Sequence, residues 1–154
     1  NIPTAGAMIH YHENNEIYML LVRNNRARVF SLPKGKQDYK EETIKEVAIR
    51  EVLEETGLDI SSYINTEHLL CSGSGSDGSD VDGNEEATKH YICKSVIYDV
   101  QLHEKVSHFE NYDDGEIVDI KWVQCENILA NPQLYSRQVK TACQILLDKY
   151  TVTI

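Results

Sequence analysis

The sequence predicts an α/β fold, a mixed β-sheet with helices packed on both faces. Three observations lead there. Two strand-like apolar runs open the chain, at 3–10 and 16–23, and a helical pattern carrying many glutamates follows at about 41–56. Further strand-like runs at 90–102 and 117–124 precede a last amphipathic stretch at 132–149. Strands, a helix, more strands and a helix bury their apolar faces most simply as helices on both sides of one sheet. The 154 residues suit a single domain spanning 1–154 with a substantial core.

Each element has a local reason. His12-Glu-Asn-Asn15 reads as the turn between the first two strands, and 16–23 (EIYMLLVR) as a buried strand. Asn24–Arg28 is a polar turn that groups Arg23, Arg26 and Arg28, a solvated loop or a phosphate contact. Pro33-Lys34-Gly35 reads as a turn. In the helical stretch Ile44, Val47, Ala48 and Val52 form an apolar stripe, with Glu41, Glu42 and Thr43 at its start and Gly57 as the left-handed stop. Residues 58–64 are a linker and Glu67–Cys71 a short strand. Residues 72–86 (SGSGSDGSDVDGNEE) are acidic and nearly free of apolar side chains, which marks a flexible insertion. Its Asp80-x-Asp82-Gly83 fragment is not an EF-hand, since Gly78 and Lys89 would fall at the first and twelfth ligand positions. Asn131-Pro132 reads as the start of the last helix, with Leu134, Val139, Ala142, Cys143, Leu146 and Leu147 on its apolar face. The cysteines at 71, 93, 125 and 143 lack the paired spacing of a zinc site and read as reduced thiols, Cys93 and Cys143 as packing.

Glu51, Glu54 and Glu55 fall at i, i+3 and i+4 and share one helix face. Glutamates on a helix are usually a solvated face. Three like charges this close also repel, and a divalent cation would offset that repulsion. Their neighbours favour the cation. Glu42, Arg50, Glu51, Val52, Glu54, Glu55, Gly57 and Leu58, with Gly35 upstream, resemble the Nudix box. That pattern runs Gly, five residues, Glu, seven residues, Arg-Glu, aliphatic, any, Glu-Glu, any, Gly, aliphatic. One departure stands out: six residues separate Gly35 from Glu42. Taking Glu41 as the first Glu would repair that gap and lengthen the next. Assigning both Glu42 and Arg50 to the rigid helix favours Glu42, with the extra residue in the Lys36–Glu41 loop. An offset of eight residues leaves two helical side chains about 80° apart, so a Glu42–Arg50 pair needs a curled helix start and rests on the resemblance.

The resemblance implies the Nudix-type α/β/α sandwich and the hydrolysis of a pyrophosphate linkage with Mg²⁺ or Mn²⁺. It implies Glu51, Glu54 and Glu55 as metal ligands, with the Gly35 carbonyl added and Glu42 and Arg50 in support. Hard cations of this kind take carboxylate and water oxygens. Glu54 and Glu55 are thereby catalytic candidates. Glu116, before the strand Ile117–Trp122, is the candidate general base, with Glu110, Asp113 and Asp114 as rivals and a solvated acidic loop as the plain alternative. Lys34, Lys36 and Arg23 are candidate substrate contacts.

Pro33-Lys34-Gly35-Lys36, the box, Gly57–Tyr63 and Glu116–Trp122 together resemble the catalytic domain of mRNA decapping enzymes. Dinucleoside polyphosphate hydrolases share the Pro-Lys-Gly lead-in. A net charge of −10 disfavours tracking along RNA, and the last helix offers only Arg137, Lys140 and Lys149. A small nucleotide-type substrate carried with a cation fits better, capped RNA remaining a disfavoured option. Nucleoside triphosphates and sugar-nucleotides also stay open. The alternative class is a catalytically weak Nudix module that binds a nucleotide or a partner. No apolar run is long enough to cross a bilayer and no secretory pattern is present, so a cytoplasmic or nuclear protein is expected. The chain opens on Asn1 rather than Met, as a processed or trimmed chain would.

Overall fold

A computed structural model describes residues 3–70, 95–110 and 115–150. Its elements are β1 (Thr4–Glu13), β2 (Glu16–Asn24), β3 (Lys34–Lys36), α1 (Ile44–Thr56), β4 (Ile64–Leu70), β5 (Ser95–Gln101), β6 (Ile117–Gln124), α2 (Cys125–Ala130) and α3 (Arg137–Tyr150). The sheet runs β4-β5-β1-β2-β6 with β3 added beside β1. β1 is parallel to β5 and antiparallel to β2 and β3, so the sheet is mixed as expected. The acidic stretch 72–86, Cys71, Cys93 and the first part of the 90–102 run lie outside the described residues.

β1 is the axis. Ala5, Ala7 and Ile9 point to one face and Met8 to the other, all fully buried, which is the pattern of a strand covered on both sides. The hairpin to β2 is tighter than expected. His12 and Glu13 pair with Ile17 and Glu16, and only Asn14 and Asn15 turn, at φ 53° and 66°. Asparagine tolerates that left-handed geometry, which matches the twist of a two-residue hairpin. The expected Pro-Lys-Gly turn is instead a short strand: Lys34–Lys36 pairs with Thr4–Gly6. β5 holds one edge of β1, so β3 and β2 share the other, β3 at Thr4–Gly6 and β2 at His10–Glu13. The end of β2 therefore diverges from β1 and leaves room for β3.

Two cores cover the two faces. Val47, Ala48 and Val52 of α1 pack on Ala5, Ala7, Ile9, Leu20 and Val100. Ile128 of α2 and Val139, Ala142, Cys143 and Leu146 of α3 pack on Met8, Met19, Leu21 and Ile97. Cys143 is packing, as expected, with its thiol 3.5 Å from the Met19 sulfur. The last helix starts later than Asn131-Pro132 suggests. Pro132–Leu134 is one 3₁₀ turn, the Asn131 side chain does not cap it but donates back to the Asn127 carbonyl of α2 at 3.0 Å, and Leu134 is 47% exposed. The chain turns extended at Tyr135 before α3 begins at Arg137. α1 begins at Thr43 through a capping box: its hydroxyl accepts from Glu46 N at 3.1 Å, and Glu46 accepts from Thr43 N at 2.8 Å. It ends at Gly57, φ 82°, whose Cα faces the Glu110 backbone, so a side chain would be both strained and blocked.

On the α3 side a polar network is buried within the sheet. His10 Nε2 meets Asp99 Oδ1 at 2.5 Å, and His10 Nδ1 meets His12 Nε2 at 2.8 Å. Lys149 Nζ and the Tyr150 hydroxyl donate to Asp99 Oδ2 at 2.7 and 3.1 Å. Burial alone would raise the Asp99 carboxyl; hydrogen bonds from His10 and Lys149 overturn that and hold it at about 2. Asp99 thus pins the end of α3 to the sheet. Because its folded pKa is depressed, its contribution is complete above about pH 4 and is lost as the pH falls towards 2. Asp99→Asn should destabilise the fold by about 3 kcal/mol at neutral pH in urea unfolding, and the difference from the parent should shrink on acidification.

Candidate functional site

The strand registers place the site. The start of β1, the end of β2, the start of β6 and the start of β5 all lie at one end of the sheet, together with β3. At that end β3 meets the glutamate face of α1. The Lys34 N–H donates to Glu55 Oε1 at 3.2 Å. Gly35 lies directly on the Glu51 carboxylate, and a methyl group built on its Cα would overlap those oxygens. A side chain at position 35 would displace the Glu51 carboxylate from this seat, so glycine keeps the two in contact.

Arg50 binds the rest. Its Nε and Nη2 donate to the two Glu42 oxygens at 2.6 and 3.1 Å, a bidentate pair. Nη2 also donates to the Lys36 carbonyl at 3.0 Å. Nη1 donates to Glu51 at 3.0 Å and to Glu54 at 3.3 Å, and pairs with Asp38 at 3.2 Å. The Glu42–Arg50 contact is as anticipated, but Glu42 is not in the helix. Thr43 is extended (ψ 162°) and α1 starts at Ile44, so Glu42 sits in the preceding turn and folds back over Arg50. The helical offset that opposed the contact therefore does not apply.

Electrostatics follow from these neighbours. Burial, reinforced by Glu54, raises the Glu51 carboxyl to about 6, with Arg50 opposing. The hydrogen bond from Arg50 holds Glu42 below the usual carboxylate range and raises Arg50 itself. Burial lowers the half-buried Lys34 ammonium, with Glu55 opposing. The donor set is all oxygen, crowded and short of positive charge, which fits a hard divalent cation. The close seat of Glu51 on Gly35 fits it too. Among the described residues no three acidic, histidine or cysteine side chains already converge as a cation's ligands would; Arg50 bridges Glu51 and Glu54 instead.

The other predicted residues stand apart from this network. Glu116 is exposed just ahead of β6, at the same end of the sheet, and its carbonyl accepts from Asn25 N at 2.7 Å. Its rival Glu110 is tied by its own N–H to the Thr56 carbonyl at the end of α1, 3.1 Å away. Asp113 and Asp114 lie outside the described residues. Arg23 is half-buried at the end of β2 and donates to the Ala27 carbonyl at 3.4 Å. Arg26 and Arg28 are exposed, and so is Lys36, whose carbonyl rather than its side chain meets Arg50. Sequence reasoning missed Asp38; the only hint was its place in the loop that carries the extra residue.

Comparisons with known proteins bear on the family and the fold. The curated mRNA-decapping enzyme subunit 2 of Arabidopsis thaliana is 39% identical over 71 residues, 45% of this chain and 18% of that protein. This chain thus matches under a fifth of that relative's length. Among solved structures, a Caenorhabditis elegans Ap4A hydrolase binary complex superposes with a TM-score of 0.66 at 17% identity, covering 96% of this chain and 99% of that one. A bifunctional NMN adenylyltransferase/ADP ribose pyrophosphatase from Francisella tularensis, complexed with AMP and a Mn ion, superposes with a TM-score of 0.67 at 20% identity. It covers 97% of this chain and 42% of the Francisella chain. At such identities the structures establish the fold. The family model for the NUDIX domain matches residues 1–144, and the chain belongs to that family.

Proposed function

We propose that the chain is a single-domain pyrophosphohydrolase, dependent on Mg²⁺ or Mn²⁺, that splits a phosphoanhydride bond in a nucleoside diphosphate linked to another moiety. The observation that carries this is the seating of β3 on α1, Gly35 against Glu51 and the Lys34 N–H on Glu55, beside Glu54 on the same helix face. Glu51, Glu54 and Glu55 are the residues to hold the cation, with the Gly35 carbonyl added. Bound there, it supplies positive charge against phosphate oxygens and acidifies water. Glu42 and Arg50 fix the helix start so that the carboxylates keep their places. Glu116 takes the proton from the attacking water. Lys34, Lys36 and Arg23 supply positive charge for the phosphates.

Within that class the reading favours a small substrate of dinucleoside polyphosphate or cap type. The decapping relative and the Ap4A hydrolase both support it, and the net charge of −10 disfavours a long RNA track. No helix among the described residues is long and apolar enough to cross a membrane, and we place the activity in the cytoplasm or nucleus.

Glu54→Gln and Glu55→Gln should each lower turnover of the best substrate by more than about a hundredfold with the circular dichroism unchanged. The panel is free cap dinucleotide, diadenosine polyphosphates, nucleoside triphosphates and sugar-nucleotides with Mg²⁺ or Mn²⁺. Tight binding of one of them without turnover by the parent would instead make the chain a binding module. Gly35→Ala should lower turnover in the same assay, because the added methyl group would push the Glu51 carboxylate out of its seat; normal activity would remove the β3–α1 contact from the site.

A further inference from the structure

We infer that Asp38 is a positioning residue that takes the Arg50 guanidinium off Glu51 and Glu54 when those carboxylates take a cation; this rests on the metal-dependent reading above. A guanidinium has five N–H groups, one on Nε and two on each terminal nitrogen. Nε and one Nη2 hydrogen are committed to Glu42, and the other Nη2 hydrogen to the Lys36 carbonyl. That leaves two hydrogens on Nη1, and three carboxylates claim them. Glu51 and Glu54 accept hydrogen bonds, while Asp38 makes an ion pair at 3.2 Å. Nη1 is oversubscribed, and Asp38 is the claimant outside α1.

Arg50 and a divalent cation compete for the Glu51 and Glu54 oxygens. Losing both contacts outright would leave the inner hydrogens of a half-buried guanidinium without acceptors, which is costly. Asp38 offers a replacement at the same nitrogen with no movement of the Glu42 pair. Its backbone is already held in place for that exchange, since the Asp38 N–H donates to Glu42 Oε1 at 3.2 Å. Asp38 comes from the loop that carries the residue by which this chain departs from the box spacing.

Titration with Mn²⁺, followed by the electron paramagnetic resonance signal of the free ion, tests the inference without substrate. The parent should bind Mn²⁺, and Asp38→Asn should bind it about fivefold more weakly. Glu41→Gln, which removes an exposed charge of the same loop that is not paired with Arg50, should bind within about twofold of the parent, since an exposed charge acting only at a distance is screened. In an Arg50→Gln background Asp38→Asn should cause no further loss, whereas a simple charge effect would add. Unchanged affinity in Asp38→Asn, or the same loss in the Arg50→Gln background, overturns the inference and leaves the metal-dependent reading intact. A parent that binds no Mn²⁺ overturns both.

Discussion

Arg50 fixes Glu42 with two nitrogens and spreads the third over Glu51, Glu54 and Asp38. Without a cation of some kind at its centre, the helix face would carry adjacent carboxylates with nothing to offset their repulsion, and Glu51 is already raised to about 6 by its burial and by Glu54. The guanidinium also joins three pieces of chain: the turn before α1, the carbonyl at the end of β3, and α1 itself. The start of the helix, the strand that abuts it and the acidic face are thus held by one side chain. Its planar fork matters here, because a lysine could not satisfy a bidentate carboxylate and a carbonyl together.

The sheet gives that network its place. β3 is only Lys34–Lys36, too short to stand alone, and it is ordered by pairing with Thr4–Gly6 where β2 swings away. The Ala7 N–H donating to the Pro33 carbonyl at 3.1 Å continues the attachment. α1 reaches the same place because Val47, Ala48 and Val52 bury against Ala5, Ala7 and Ile9. The apolar stripe and the acidic stripe of one helix therefore serve two ends: the first anchors it on β1, and the second faces the strand beside β1. Gly35 is the point where the two surfaces touch. The buried Asp99 network works on the opposite face and holds α3, so the core and the site are secured by separate polar clusters.

Much of this is legible in the sequence because it is local. The glutamate spacing, the Gly57 end of α1 and the Val47–Val52 stripe follow from helical periodicity and a left-handed stop. What escapes the sequence is set by tertiary contact. Pro33-Lys34-Gly35 looks like a turn because Pro and Gly frame it, and only the pairing of Lys34–Lys36 with Thr4–Gly6 makes a strand there. Counting residues puts Glu42 in the helix, whereas the capping box at Thr43 excludes it and thereby lets it reach Arg50. Asn131-Pro132 does open a helical turn, but a 3₁₀ one, since Tyr135 is drawn into a bridge with Phe30 before α3 can begin. Asp38 carries no signal of its own, because its partner is twelve residues away in sequence and on another element.

Anomalous diffraction from crystals soaked in Mn²⁺ tests the account most directly. It predicts one strong peak held by the carboxylates of Glu51, Glu54 and Glu55 beside Gly35, with Arg50 still paired to Glu42 and its remaining nitrogen turned to Asp38. A peak elsewhere, or those three carboxylates facing solvent with no ion among them, would contradict it.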